Sequence, residues 1–148
     1  ADDIIISTPA KCGTTWTQML VALLIFDTAD LPDALARLSP WVDQNVRPLA
    51  SVLGDLDAQA HRRFPKSHLP YELLPDDERI TYISVGRDPR DVFPSMRSHF
   101  ANTRFDVDMQ GRAAAVGLDD LRNMPPMELP PSDRREGCRH WVTNDSPS

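Results

Sequence analysis

The apolar positions of this chain fall into a few short groups separated by long polar or proline-rich stretches. Ile4 to Thr8 is a β-branched run of the kind that lies buried in a parallel sheet, and it predicts the first strand. From Thr14 onward, Trp16, Met19, Leu20, Leu23 and Leu24 recur at helical spacing, while Val21, Ala22 and Ile25 make the other sides apolar too. That pattern predicts a helix covered by protein all round. Pro32, Pro40 and Pro48 punctuate a looser stretch with short helical possibilities, and Asp57 to Arg62 reads as a helix end. Arg63 to Lys66 is a candidate short strand interrupted by Pro65, and Ile80 to Val85 is a stronger one. Pro89 marks a helix start, and Asp91 to Phe100 is the helix expected there, with Pro94 shortening its regular part. Strand, loop and helix thus occur twice. The expected class is α/β, a parallel sheet with flanking helices and its site at the strand ends.

Beyond Ala101 the pattern fades. Pro125-Pro126, Pro130-Pro131 and many charges leave only short helices to expect, near Met109 to Ala115 and Leu118 to Arg122. The chain therefore reads as an α/β core over residues 1–100 and an irregular proline-rich segment over 101–148, part of the same domain or of its substrate-side region.

Composition narrows the functional classes. At 148 residues, 41% hydrophobic and 26% charged, the chain fits one ordinary soluble domain. A formal charge of -6 argues against a nucleic-acid or anionic-membrane binder, because those partners need a basic face. Any anion site must be local. Cys12 and Cys138 stand far apart, with neither a disulfide framework nor metal-ligand spacing, so a reducing, cytoplasmic setting is expected. No stretch approaches the roughly 18 apolar residues of a membrane span. The chain begins at Ala1, without a methionine and just before a core-like strand, so its N-terminus reads as trimmed.

The stretch TPAKCGTTW, residues 8–16, carries the first chemistry. A strand that turns sharply into a helix leaves the first helical N–H groups without intrahelical partners, and their dipoles favour an anion. Gly13 lets the backbone come close, Thr14 and Thr15 add hydroxyl donors, and Lys11 adds positive charge. The plainer reading makes Thr14 a helix cap and Lys11 a solvated loop charge. A Walker A loop wants lysine directly after its second glycine, whereas Lys11 precedes Gly13 by two positions. A cysteine phosphatase would use Cys12 at the helix start, yet the place six residues on, where its loop wants arginine, holds Gln18.

Two further stretches join it, RFPKSHLPYELLP over residues 63–75 and YISVGRDPRDVFPSM over 82–96. In order and rough spacing the three resemble the signature regions of the sulfotransferases that use 3'-phosphoadenosine 5'-phosphosulfate (PAPS), typically Y-P-K-S-G-T-T-W, K-T-H-L-P and R-N-P-K-D-x-x-x-S. The resemblance covers residues 2 to about 100. SPWVDQ and GRDPRDV look most like a bacterial branch that includes glycolipid sulfotransferases. The resemblance implies an α/β domain related to P-loop nucleotide kinases. It places Lys11, Cys12, Gly13, Thr14 and Thr15 on the 5'-phosphosulfate loop and Trp16 against the adenine. Arg87 and Ser95 become the 3'-phosphate pair, His68 the general base and Lys66 its neighbouring lysine. PAPS is then the co-substrate, its desulfated form PAP the product, and a hydroxylated small molecule or glycolipid the acceptor, with no metal.

The chemistry suits these residue types. Sulfuryl transfer to a hydroxyl needs the acceptor proton removed, the leaving phosphate oxygen stabilised and both oxygens held in line across sulfur. Imidazole titrates near neutrality and serves the first need, and a lysine such as Lys11 serves the second. Trp41 in SPWVDQ fits either an acceptor pocket or a core position. His61, His99, His140, Arg134 and Arg135 read as structural or solvated, and Asp91 as a helix cap or ion-pair partner. Departures from the pattern are Cys12 for serine, Asp88 for asparagine, Ser67 for threonine, and Pro94 before Ser95. The family's later R-K-G segment has no counterpart before Ser148, so the sheet is expected to be incomplete on its C-terminal side. Two other readings stay open, a non-catalytic nucleotide- or anion-binding fragment and an ATP-dependent kinase.

Overall fold

The computed structural model of the chain describes residues 2–43, 47–104, 113–114 and 131–144. They belong to two compact units, one ending at Gly86 and one beginning at Arg87.

In the first unit, Ile4–Ser7 forms β1, Lys66–Ser67 forms β2 and Thr81–Ile83 forms β3. All pair in parallel in the order β2-β1-β3, with Ile6 opposite Lys66 on one side and Ile83 on the other. A central strand with both edges paired and both faces covered wants an unbroken apolar run, and Ile4, Ile5 and Ile6 are all buried. The expected interruption at Pro65 moves β2 from 63–66 to 66–67 without ending the ladder. Ile4 N–H donates to the Arg63 carbonyl at 2.9 Å and Ile6 N–H to that of Pro65 at 3.0 Å. Proline lacks only the donor, so its carbonyl still serves. An Arg63–Asp3 fork, 2.6 and 3.0 Å, ties the same two segments together.

Thr14–Phe26 forms α1, Leu35–Leu38 α2 and Leu49–Asp57 α3, and a 3₁₀ turn spans Tyr71–Leu73. The core consists of Ile4, Ile6, Val21, Ala22, Leu38 and Phe64. The expectation that α1 is covered all round is corrected here. Leu20 and Leu24 are 58% and 85% exposed, and the buried side is Thr14, Thr17, Gln18, Val21 and Ala22. Gln18 can be buried because its Nε2 donates to the Ser39 carbonyl at 2.9 Å and to Ser39 Oγ at 2.8 Å, satisfying a polar group that would otherwise stay in water.

In the second unit, Pro89–Asn102 forms α4 and Arg134–Asn144 forms α5. Asp88 caps α4, its Oδ1 accepting from Arg90 N–H at 2.9 Å. The side-chain and backbone hydrogen bonds from Arg90 hold the Asp88 carboxyl at about 2, below its ordinary value. The cap's contribution is therefore complete above that ordinary value and is lost as pH falls through about 2. The helix runs on through Pro94, which forfeits one backbone donor without ending it. Helices α4 and α5 meet at Gly137, where an added Cβ would lie 2.6 Å from the Pro131 carbonyl and 2.7 Å from Phe93 Cζ. The charge-rich α5 has no apolar period that the sequence reading could detect. Of the short helices expected near 109–115 and 118–122, only Ala113 and Ala114 are described, and both are helical.

Candidate functional site

The loop between β1 and α1 is built on two left-handed residues, Lys11 at φ 64° and Gly13 at φ 102°. Cys12 N–H closes it by donating to the Pro9 carbonyl at 3.2 Å, and the Cys12 side chain is buried. Gly13, rather than Thr14, is the N-cap of α1 and offers no side-chain acceptor to the first-turn N–H groups. The first-turn N–H groups of α1 therefore take no side-chain cap. Nothing lies within 4 Å of a Cβ built on Gly13, so its φ alone makes a side chain costly there. Gly13→Ala is expected to lower stability by about 1–2 kcal/mol, read from the urea midpoint at unchanged slope.

The loop's side chains divide by exposure. Thr14 is buried and shares a hydrogen bond between its Oγ1 and that of Thr8. Thr15 is exposed, Trp16 is 78% exposed and Lys11 is partly buried. An outward indole beside a phosphate-type loop is open to stack on a planar ligand.

His68 follows β2 and approaches the same loop from the side. Its Nδ1 lies 2.6 Å from the Thr8 carbonyl oxygen. A carbonyl only accepts, so Nδ1 carries the proton and the neutral ring keeps its lone pair on Nε2. The unprotonated ring nitrogen is thus set by the strand that leads into the loop before α1. Trp41 meets the His68 ring edge-on at 4.6 Å, and Lys66 Nζ lies 4.3 Å from the centre of the Trp41 ring. Burial lowers the Lys66 pKa below its ordinary value, and the charge of Asp43 opposes that shift. Trp41 is therefore neither a core residue nor remote from the site.

Beside these groups lies a cavity of about 540 Å³, lined in part by Thr15, Gln18, Arg37, Trp41, Arg47 and Lys66. Arg37 and Arg47 are bridged outside it to Asp33 and Asp55. The first unit therefore gathers Lys11, Cys12, Gly13, Thr14, Thr15, Trp16, Lys66 and His68 around one strand end. Arg87 and Ser95 belong to the second unit, Arg87 exposed just before the cap of α4 and Ser95 partly buried within that helix. Thr8 and Asp43 contact His68 and were not singled out by sequence reading, although Asp43 stands inside SPWVDQ.

The sulfotransferase-domain family model matches residues 1–127. The chain belongs to the sulfotransferase family. This sulfotransferase chain is 56% identical over 104 residues to a glycolipid sulfotransferase of Mycobacterium tuberculosis, covering 70% of the chain and 32% of that relative. It is 33% identical over 108 residues to an amine sulfotransferase of Oryctolagus cuniculus, covering 68% of the chain and 34% of the relative. The sulfotransferase chain thus spans about a third of the length of these relatives. Two solved structures of retinol dehydratase match it with a TM-score of 0.52. One is a complex with androsterone and the inactive cofactor PAP, at 24% identity over 68% of this chain and 40% of that one. The other is a complex with retinol and PAP, at 17% identity over 95% of this chain and 64% of that one. These likenesses establish the fold, a parallel α/β sheet of P-loop type. Among the described residues of the sulfotransferase chain, no helix is long and apolar enough to cross a membrane.

Proposed function

We propose that this chain carries the donor loop and the catalytic base of a PAPS-dependent sulfotransferase that acts in the cytoplasm, without a metal, on the hydroxyl of a small-molecule or glycolipid acceptor. The reading rests above all on His68, whose Nδ1–H is committed to the Thr8 carbonyl at 2.6 Å, leaving Nε2 as the acceptor of a proton beside the anion loop. Residues 1–100 form the PAPS-binding core in this reading, and 101–148 are part of the same domain or of its acceptor-side region.

The donor set fits the group. Left-handed Lys11 and Gly13 turn the backbone toward the start of α1, where Thr15 and the first-turn N–H groups suit a 5'-phosphosulfate. Trp16, with most of its surface exposed, suits the adenine, while Arg87 and Ser95 suit the 3'-phosphate. When bound, PAPS supplies the sulfuryl group, which passes in line to the acceptor oxygen as the phosphate oxygen departs. His68 Nε2 removes the acceptor proton, Lys11 balances charge on the departing oxygen, and Lys66 steadies the anionic group between them. The glycolipid sulfotransferase relative and the androsterone and retinol of the retinol dehydratase complexes support such acceptors.

Calorimetric titration with PAP tests the donor site. The folded chain is expected to bind PAP in the micromolar range, and Lys11→Ala and Arg87→Ala are each expected to weaken it about tenfold or more, as losing one charge-assisted hydrogen bond implies. A folded chain that ignores PAP would sink the donor site, and preference for ATP with magnesium would favour the kinase reading.

A further inference from the structure

Resting on that reading, we infer that Asp43 is a positioning residue for the transfer, holding the backbone that carries His68 and providing the counter-charge for Lys66. Residues 40–43 run parallel to β2 as a short outer rung. Lys66 N–H donates to the Pro40 carbonyl at 3.0 Å, Val42 N–H donates to the Lys66 carbonyl at 3.1 Å, and Trp41 bridges Lys66 directly. Asp43 lies two positions after Trp41, as His68 lies two after Lys66, so the extended step that sets Trp41 beside Lys66 also brings Asp43 beside His68.

The contact is made. His68 N–H donates to Asp43 Oδ2 at 2.9 Å. Together with the Nδ1–H bond to Thr8, this fixes His68 at its backbone and at its ring, from two different segments. The second carboxylate oxygen, Oδ1, is buried with no hydrogen-bond partner among the described residues. A buried oxygen left in that state is costly unless a nearby cation offsets it. Lys66 is the cation that feels this charge. Arg37 and Arg47 line the same cavity but are paired to Asp33 and Asp55, so Asp43 is the charge that favours the protonated amine. One carboxylate thereby serves the base through the backbone and the lysine through space.

The test is a set of NMR titrations on this chain, following the Lys66 ammonium and the His68 amide proton. In Asp43→Asn the Lys66 midpoint is expected to fall, because the opposing charge is gone while an acceptor for the His68 amide remains. In Asp43→Ala the midpoint falls and the His68 amide proton also moves upfield as its bond is lost. Wherever transfer is measured, Asp43→Asn should pull the alkaline limb of the pH profile to lower pH, since Lys66 then loses its proton earlier, with PAP affinity kept. If neither variant folds, the wild-type chain decides: its His68 amide should follow protonation of the Asp43 carboxylate as pH falls. A Lys66 midpoint unmoved in a native-like Asp43→Asn, or a His68 amide indifferent to acid, overturns the proposal. Failure to bind PAP would instead overturn the sulfotransferase reading while leaving these titrations unchanged.

Discussion

His68→Ala is expected to lower sulfuryl transfer from PAPS by about 10²- to 10⁴-fold, the range of a positioned general base, while PAP binding is kept. The reasoning starts from a single proton. With Nδ1–H given to the Thr8 carbonyl, Nε2 is the ring's only basic site, and alanine removes it. Alanine also removes the Thr8 bond and the edge contact with Trp41, so lost activity alone would not separate chemistry from disorder. His68→Asn makes the separation. Its amide N–H₂ can donate to Thr8 from near the place of Nδ1, but it carries no basic nitrogen. The expected pattern is two variants equally poor in transfer, with Asn the more stable of the two by thermal unfolding. Transfer near the wild-type rate in either variant would remove His68 from the role of base and favour the fragment that binds without reacting.

Phe64→Ala is expected to cost about 3–5 kcal/mol, a large share of the roughly 5–15 kcal/mol that holds a domain together. Phe64 has no exposed surface and packs among Ile4, Ile6, Val21, Ala22 and Leu38. Its backbone carbonyl also accepts Ser39 Oγ, the same hydroxyl that receives Gln18. The substitution therefore opens a cavity where sheet, α1 and α2 converge. Urea unfolding at unchanged slope measures it, and Phe64→Leu should recover most of the loss. A change below about 1 kcal/mol would mean that the core is not centred here. Because Phe64 lies four residues before His68, the stability loss should be accompanied by broadening of the His68 resonances.

The parts legible in the sequence were those that repeat a local period or a local turn. The β-branched run at Ile4, the loop at Lys11 to Gly13, the helix from Thr14 and the proline-marked start of α4 all declare themselves within a few residues. What stayed hidden depended on partners distant along the chain. The buried face of α1 is chosen by Gln18 finding Ser39, and hydropathy alone picks the opposite, leucine-rich side. β2 is two residues long and lies beside a proline, too short for any alternation to show. In the site, the loop lysine, the histidine and its neighbouring lysine were readable as motifs, but the tautomer of His68 required Thr8, and the company of Trp41 and Asp43 required the parallel pairing of 40–43 with 66–68.

The central place of β1 has a consequence for how the molecule is made. Among the described residues, β1 is hydrogen-bonded to one strand at residues 66–67 and another at 81–83, both distant along the chain. Such distant parallel pairings give a high contact order and slow folding. During synthesis, Ile4 to Ile6 can meet both of these partners only after Ile83 has left the ribosome, and the sheet that carries the loop at Lys11 to Gly13 is assembled only then. The nascent segment between those two moments is a three-isoleucine edge awaiting partners, which makes the interval before residue 83 emerges the point at which a chaperone would be most useful.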